Sequence, residues 1–199
     1  KRAEIVLNNQ WLFQPATDDA TVNPVASNWS YIQVPSSWMS KELVGVSKEN
    51  LEELSKAWYQ TEVLIPNSWK GRTTEINLTK VSTDAVLSVN GNRAGEIHWY
   101  SGVADITRFV KYGQQNQIRI LVIATSSEGE IPVLMGTATS QVPFTKATLA
   151  SKGITGDVLL CSRPSNTYIT DVFVQTSVRQ NKVDLSVEIA GIKKVGTVS

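Results

Sequence analysis

Hydrophobic and polar residues alternate with a period of two along most of the chain. Residues 62–65, 75–78, 85–89, 117–123 and 158–160 are rich in Val, Ile and Leu, and Gly, Pro, Asn and Ser clusters separate them. Short segments of this kind predict β-strands, and many of them with little helix predict a sandwich or a barrel. Asn90-Gly91 is a tight-turn dipeptide, because Gly accepts positive φ and Asn tolerates it. It is expected to join the strand ending at Val89 to one beginning near Arg93. One helix is predicted, over residues 48–54, with Ser47 as N-cap. Acidic residues occupy its early turns, and Val46 and Leu51 are spaced as a hydrophobic staple.

The alternation pauses at Arg163-Pro164-Ser165-Asn166 and resumes cleanly in residues 168–176 and 183–189. The chain is therefore expected to divide into residues 1–164 and residues 165–199. The second part reads as the first two strands of another β-domain. Two strands alone are marginal in water, so this tail is expected to pack on the first part or to belong to a domain that continues.

Composition narrows the classes of function. Of 199 residues, 41% are hydrophobic, and 19 Lys and Arg against 18 Asp and Glu leave a net charge of +1. That balance gives no reason to expect nucleic acid or an anionic membrane as partner. No apolar run approaches the ~18 residues of a membrane-spanning helix. Cys161 cannot form an internal disulfide alone, and its apolar run, residues 158–161, reads it as a small core residue. With one histidine and one cysteine far apart, no metal site and no cofactor is expected. Nor is there a second histidine for a triad, or a Gly-x-Ser-x-Gly turn.

Several motifs, taken in order, carry a resemblance. Near the start stands Leu7-Asn8-Asn9-Gln10-Trp11-Leu12-Phe13, followed by Trp29-Ser30-Tyr31-Ile32-Gln33-Val34-Pro35-Ser36-Ser37-Trp38. Ala57-Trp58-Tyr59 opens a strand that runs to Pro66, before a Ser-Trp-Lys-Gly turn. Asp105-Ile106-Thr107, Gly113, the Asn116–Ile123 strand and Gly153-Ile154 come later. Together they resemble the N-terminal sugar-binding-type domain of glycoside hydrolase family 2, whose members include β-galactosidases, β-glucuronidases and β-mannosidases. Asn9 stands where Gly is commoner, and Thr155-Gly156 replaces a frequent Trp-Arg pair. The resemblance implies an all-β fold: a jelly-roll, galactose-binding-like sandwich followed by the start of an immunoglobulin-like sandwich. It also implies downstream immunoglobulin-like and catalytic barrel domains in the same polypeptide, and a periplasmic or secreted home. The chain opens on Lys1, which fits either a removed leader or a trimmed end.

Much of this signature has a scaffold reason. Trp11, Trp29, Trp38, Trp58 and Trp69 fall at strand ends or turns, where a flat ring can cap a core. Asp105 and Thr107 can bond nearby backbone N–H groups in a turn. The family's catalytic acids belong to the barrel, and no segment here matches them. Asp18-Asp19, Glu52-Glu53 and Glu128-Gly129-Glu130 read as solvated acids, since adjacent side chains do not face one another across a glycosidic bond. Catalytic residues are therefore none.

Candidate carbohydrate contacts are His98, Trp99 and Tyr100, which combine stacking faces with a directional hydrogen bonder. The alternative is that Trp99 and Tyr100 seal the core. Two long connections, residues 39–56 and 126–152, are of the kind that carry function. In some relatives such loops reach the catalytic pocket, which makes Glu128, Glu130, Gln141 and Phe144 further candidates, against an inter-domain packing role. Three functions stay open: a non-catalytic portion of a β-glycoside hydrolase, a stand-alone carbohydrate-binding module, and a structural interaction domain.

Overall fold

The computed structural model describes residues 2–16, 24, 28–38, 43–44, 51, 54–98, 100–124, 129–135, 138–144 and 151–191. Apart from a 3₁₀ turn at Asn67–Trp69, the regular elements among the described residues are β-strands. They are β1 Ala3–Val6, β2 Gln10–Pro15, β3 Ser30–Gln33, β4 Leu43–Val44, β5 Lys56–Ile65, β6 Thr73–Ser82, β7 Asp84–Val89 and β8 Asn92–Ile97. Then come β9 Tyr100–Asp105, β10 Gln114–Ile123, β11 Gly129–Met135, β12 Ala138–Phe144, β13 Gly153–Ile154, β14 Val158–Arg163, β15 Tyr168–Ser177 and β16 Lys182–Ala190. Among the described residues no helix is long and apolar enough to cross a membrane.

Two antiparallel sheets form the body. One has seven strands in the order β4-β3-β2-β5-β10-β7-β8, and the other joins β1, β14, β6, β13 and β9, with β6 central. Alternation explains how they stack. In β7, Ala85, Leu87 and Val89 are buried while Asp84, Val86 and Ser88 are not. In β14, Val158, Leu160 and Ser162 are buried on the same period. Inward residues of both sheets meet in one apolar cluster that includes Trp11, Phe13, Tyr59, Ile76, Leu78, Ile118 and Ile120. The molecule is thus a β-sandwich with one core.

The motif residues prove to be joints of this scaffold. Asn90 and Gly91 have φ of 50° and 81° and close a two-residue turn, since Val89 pairs with Asn92. The Asn90 amide donates to the Phe109 carbonyl and to Asn116 Oδ1, each at 2.8 Å. Asn116, fully buried, in turn donates to the Lys111 and Gln114 carbonyls. Asn116 therefore satisfies the backbone of the turn that precedes its own strand, which a buried amide must do to be tolerated. Asp105 Oδ1 accepts from the Thr107 amide at 2.9 Å, and Thr107 Oγ1 accepts from the Thr74 amide at 2.9 Å. Trp11 donates to the Leu7 carbonyl at 2.9 Å.

Two departures from the family pattern have local causes. Among the described residues the non-glycine positions with positive φ are Asn28, Asn90 and Asn181. Asn9 is not one of them, so nothing in its backbone requires Gly. Gly156 lies against β6 so closely that a Cβ would stand 2.6 Å from the Lys80 nitrogen.

Two expectations change, and one connection gains detail. The long connection over residues 126–152 contains β11 and β12, which pair antiparallel from Gly129↔Phe144 to Met135↔Ala138. Cys161 is not a core residue; it sits on the outer face of β14, because the inward positions are Val158, Leu160 and Ser162. Of the tryptophans, Trp11, Trp38 and Trp69 join the core, whereas Trp58 is buried on the outer face of its sheet and Trp29 is only half-buried. The helix expected over residues 48–54 lies largely outside the described residues. Leu51, which is described, is buried.

The terminal strands stand apart from this core. β15 and β16 form their own antiparallel ribbon, beginning five residues after β14 ends.

Candidate functional site

The corner between the two sheets, where β8 hands over to β9, holds His98 and Tyr100. Trp99 lies outside the described residues. His98 is well exposed, with Nδ1 3.2 Å from Asp84 Oδ1 and Nε2 3.4 Å from Glu96 Oε2. Glu96 also pairs with Arg93. With its side chain 72% exposed, the histidine gains little stability from these contacts. Both ring nitrogens nonetheless face carboxylates, which leaves less of the ring's hydrogen-bonding capacity for another ligand. Tyr100 is exposed as well. That exposure does not fit a core-sealing role.

Of the second group of candidates, Glu130, Gln141 and Phe144 belong to the β11–β12 ribbon. Glu128 lies outside the described residues. Glu130 pairs across the ribbon with Pro143, Pro132 with Gln141, and Gly129 with Phe144. Asp18, Asp19, Glu52 and Glu53 also lie outside the described residues.

The end of the sandwich at which residues 39–56 and 126–152 join the body is closely packed and hydrogen-bonded. Phe13 meets Tyr59 edge-on with ring centroids 5.3 Å apart, and Trp38 at 6.1 Å. Trp38 Nε1 donates to the Tyr59 hydroxyl at 2.6 Å. Burial pushes the Tyr59 phenol far above its usual range, outweighing its bonds to Trp38 and the Ile154 backbone. The phenol stays neutral and acts as a structural hydrogen bonder. Gly153, at φ 119°, passes directly over this pair; a Cβ there would lie 2.8 Å from the Tyr59 hydroxyl and 2.9 Å from Trp38 Cδ1. The Trp38 amide bonds the Lys152 carbonyl, and the Ser36 amide bonds the Ile154 carbonyl, both at 2.9 Å. Three distant segments are therefore pinned where the long connections leave the body.

A shallow groove of about 290 Å³ crosses the outer face of the smaller sheet, lined by Arg2, Glu4, Glu75, Asn77, Cys161 and Arg163, with Val103 at its rim. Arg163 Nη2 and Nε donate to Glu75 Oε1 at 2.6 and 2.9 Å, and this bond raises the guanidinium pKa above its already high value. The guanidinium also lies 3.9 Å from the centre of the Tyr168 ring. Burial, then the Glu4 carboxylate, pushes the Cys161 thiol up from its usual range. A protonated thiol is a poor nucleophile. Sequence reasoning missed it because Glu4, Glu75 and Arg163 meet only through the pairing of β1, β14 and β6.

The arrangement defines a class: a two-sheet sandwich with well-built joints, and among its described residues the acids Glu75, Asp105 and Asp157 serve Arg163, Thr107 and Asn8 respectively. No family model matches the chain, and no curated protein matches it by sequence. Solved structures match it closely in fold. A β-D-glucuronidase from Dictyoglomus thermophilum superposes with a TM-score of 0.70 at 22% identity, over 95% of this chain and 33% of that one. The Lactobacillus rhamnosus β-glucuronidase gives 0.73 at 21%, over 96% and 34%. An uncultured Clostridium sp. β-glucuronidase gives 0.74 at 20%, over 97% and 35%. The chain has the fold of one part of these enzymes and spans about a third of their length.

Proposed function

We propose that the chain is the non-catalytic N-terminal portion of a family 2 glycoside hydrolase. In this reading residues 1–164 form the jelly-roll, galactose-binding-like domain that supports a catalytic barrel in the same polypeptide. Residues 165–199 open an immunoglobulin-like sandwich. The activity of the whole polypeptide is hydrolysis of a β-glycoside, and its home is periplasmic or secreted. The observation that carries this reading is the near-complete superposition of the chain on one third of several β-glucuronidases. The order of the sequence motifs supports the amino-terminal position.

The terminal ribbon supports the two-domain division. Its register puts Ile169, Val172 and Val174 opposite Ile189, Val187 and Leu185, on one face. A bulge at Thr170 shifts the parity so that Ile169 joins that face. A face this apolar needs a second sheet, and an immunoglobulin-like sandwich supplies one. The β11–β12 ribbon and the corner at His98, Trp99 and Tyr100 are the places where this portion would contact sugar.

The test compares two proteins on aryl β-glucuronides, β-galactosides and β-mannosides: the full polypeptide encoded by the gene, and residues 1–199 alone. Hydrolysis is expected from the first and none from the second. Turnover by residues 1–199 that a point mutation abolishes, or an inert full polypeptide, would overturn the reading.

A further inference from the structure

The outer face of the seven-stranded sheet carries an arginine that pairs with no acid among the described residues. Arg119 lies in β10, flanked by β5 and β7. Its neighbours Ile118 and Ile120 are buried in the core, so Arg119 projects from the opposite face. Its Nε donates to Gln60 Oε1 at 2.7 Å, which fixes the plane of the guanidinium. Among the described residues, neither terminal nitrogen has a hydrogen-bond partner and no carboxylate lies within ion-pair distance. Arg93 and Arg163, by contrast, pair with Glu96 and Glu75. A half-buried guanidinium held by one bond, with its fork free, is preorganised for bidentate capture of a carboxylate.

Strand register supplies the surroundings. Tyr31, Leu12, Gln60, Arg119, Ser88 and Arg93 are successive cross-strand partners over β3, β2, β5, β10, β7 and β8. At ~4.8 Å per strand this row runs roughly 24 Å, long enough for several sugar rings. Gln60 and Ser88 flank the arginine with an amide and a hydroxyl, and Tyr31 offers an exposed ring at the far end. The adjoining outer row, Gln14, Trp58 and Leu121, is less than 10% exposed.

We infer that this row binds an acidic glycan, with the Arg119 guanidinium taking the carboxylate of a uronate unit and Gln60 and Ser88 its hydroxyl groups. The carboxylate follows from Arg119 itself. The choice of a glycan over an acidic peptide rests on the glycoside hydrolase reading above.

Calorimetric titration of the chain with a hexuronate oligosaccharide tests this, beside its methyl-esterified form and polyglutamate. Saturable binding of the acidic oligosaccharide is expected. It should weaken about tenfold or more on esterification and in Arg119→Gln, the scale of losing a charge-assisted hydrogen-bonded pair. Arg119→Lys keeps the charge but loses the fork, and should fall between. The thermal unfolding midpoint, read on the same samples, should barely move, since Gln60 is the side chain's one hydrogen-bond partner among the described residues. Three results would overturn the inference: no binding by the folded chain, binding unchanged in Arg119→Gln, or equal affinity for polyglutamate. If the full polypeptide hydrolyses β-glycosides while the oligosaccharide fails to bind, the glycan site falls and the functional reading stands.

Discussion

The sandwich strands and the terminal ribbon are written in the same alternating pattern and end in opposite states. In β7 and β10, Leu87, Val89, Ile118 and Ile120 are fully buried. In β15 and β16, Val172, Val174, Val183 and Leu185 line one face in matched register, yet Leu185 is 64% exposed. Alternation therefore specifies a face, whereas burial depends on a second layer to cover it. The body supplies two sheets that cover each other. The ribbon is a single two-stranded sheet, and its apolar face is exposed.

The largest test of this contrast is Trp38→Ala. The ring is fully buried, stacks edge-on near Phe13 and bonds Tyr59. Its removal should cost about 3–5 kcal/mol of unfolding free energy in denaturant and leave the Tyr59 hydroxyl without its donor. A loss below ~1 kcal/mol would mean that the body is not held by its core in the way the ribbon lacks.

Gly153→Ala should follow, at roughly 1–3 kcal/mol. The position combines a left-handed φ with a Cβ that would press on both Trp38 and Tyr59. Neither ring can yield without disturbing Phe13. Urea unfolding of the variant beside Trp38→Ala sharpens the point: the double variant should lose less than the sum, because the smaller side chain makes room for the new methyl.

Much of this architecture was legible in the sequence, and the reasons are physical. Strands 75–78, 85–89 and 158–160 were visible because a sheet with one wet face prints its period into the residues. The Asn90-Gly91 turn and the Asp105–Thr107 turn were visible because few residues satisfy those backbones. The β11–β12 ribbon was not, since Pro132 and Pro143 interrupt its alternation. Cys161 was misplaced because Val158-Leu159-Leu160 reads as a continuous apolar run, although Leu159 and Cys161 face outward. The Arg163–Glu75 pair and the Arg119 row were invisible for a shared reason. They lie 88 and 59 residues apart in the chain from the partners they bond, and only register brings them together.

The joint between the two regions gives the next prediction. Arg163 pairs with Glu75 on the body and lies over the Tyr168 ring at the start of β15. Both partners of the ion pair are only 16% exposed, so Arg163→Ala leaves a carboxylate poorly compensated. A loss of about 1–3 kcal/mol is expected. Glu75→Gln together with Arg163→Met should recover part of it, since both charges are then gone. Failure of the paired variant to recover anything would move the weight from the ion pair to the Tyr168 contact, and would tie the ribbon to the body more firmly than its exposure suggests.

The smallest effect on stability should come from the ribbon itself. Leu185→Ser removes a large apolar group from the centre of the exposed face, beside Val174. Because that side chain has little burial to lose, the unfolding free energy should change by no more than ~0.5 kcal/mol. A different readout should move: concentration-dependent self-association through the apolar face should weaken. This pairing of outcomes separates the two regions cleanly. A core leucine such as Leu87, truncated to Ala, should cost ~2–5 kcal/mol and leave association unchanged. If Leu185→Ser instead cost as much as the core change, the ribbon would already be covered in solution, and alternation alone would have been enough to predict burial.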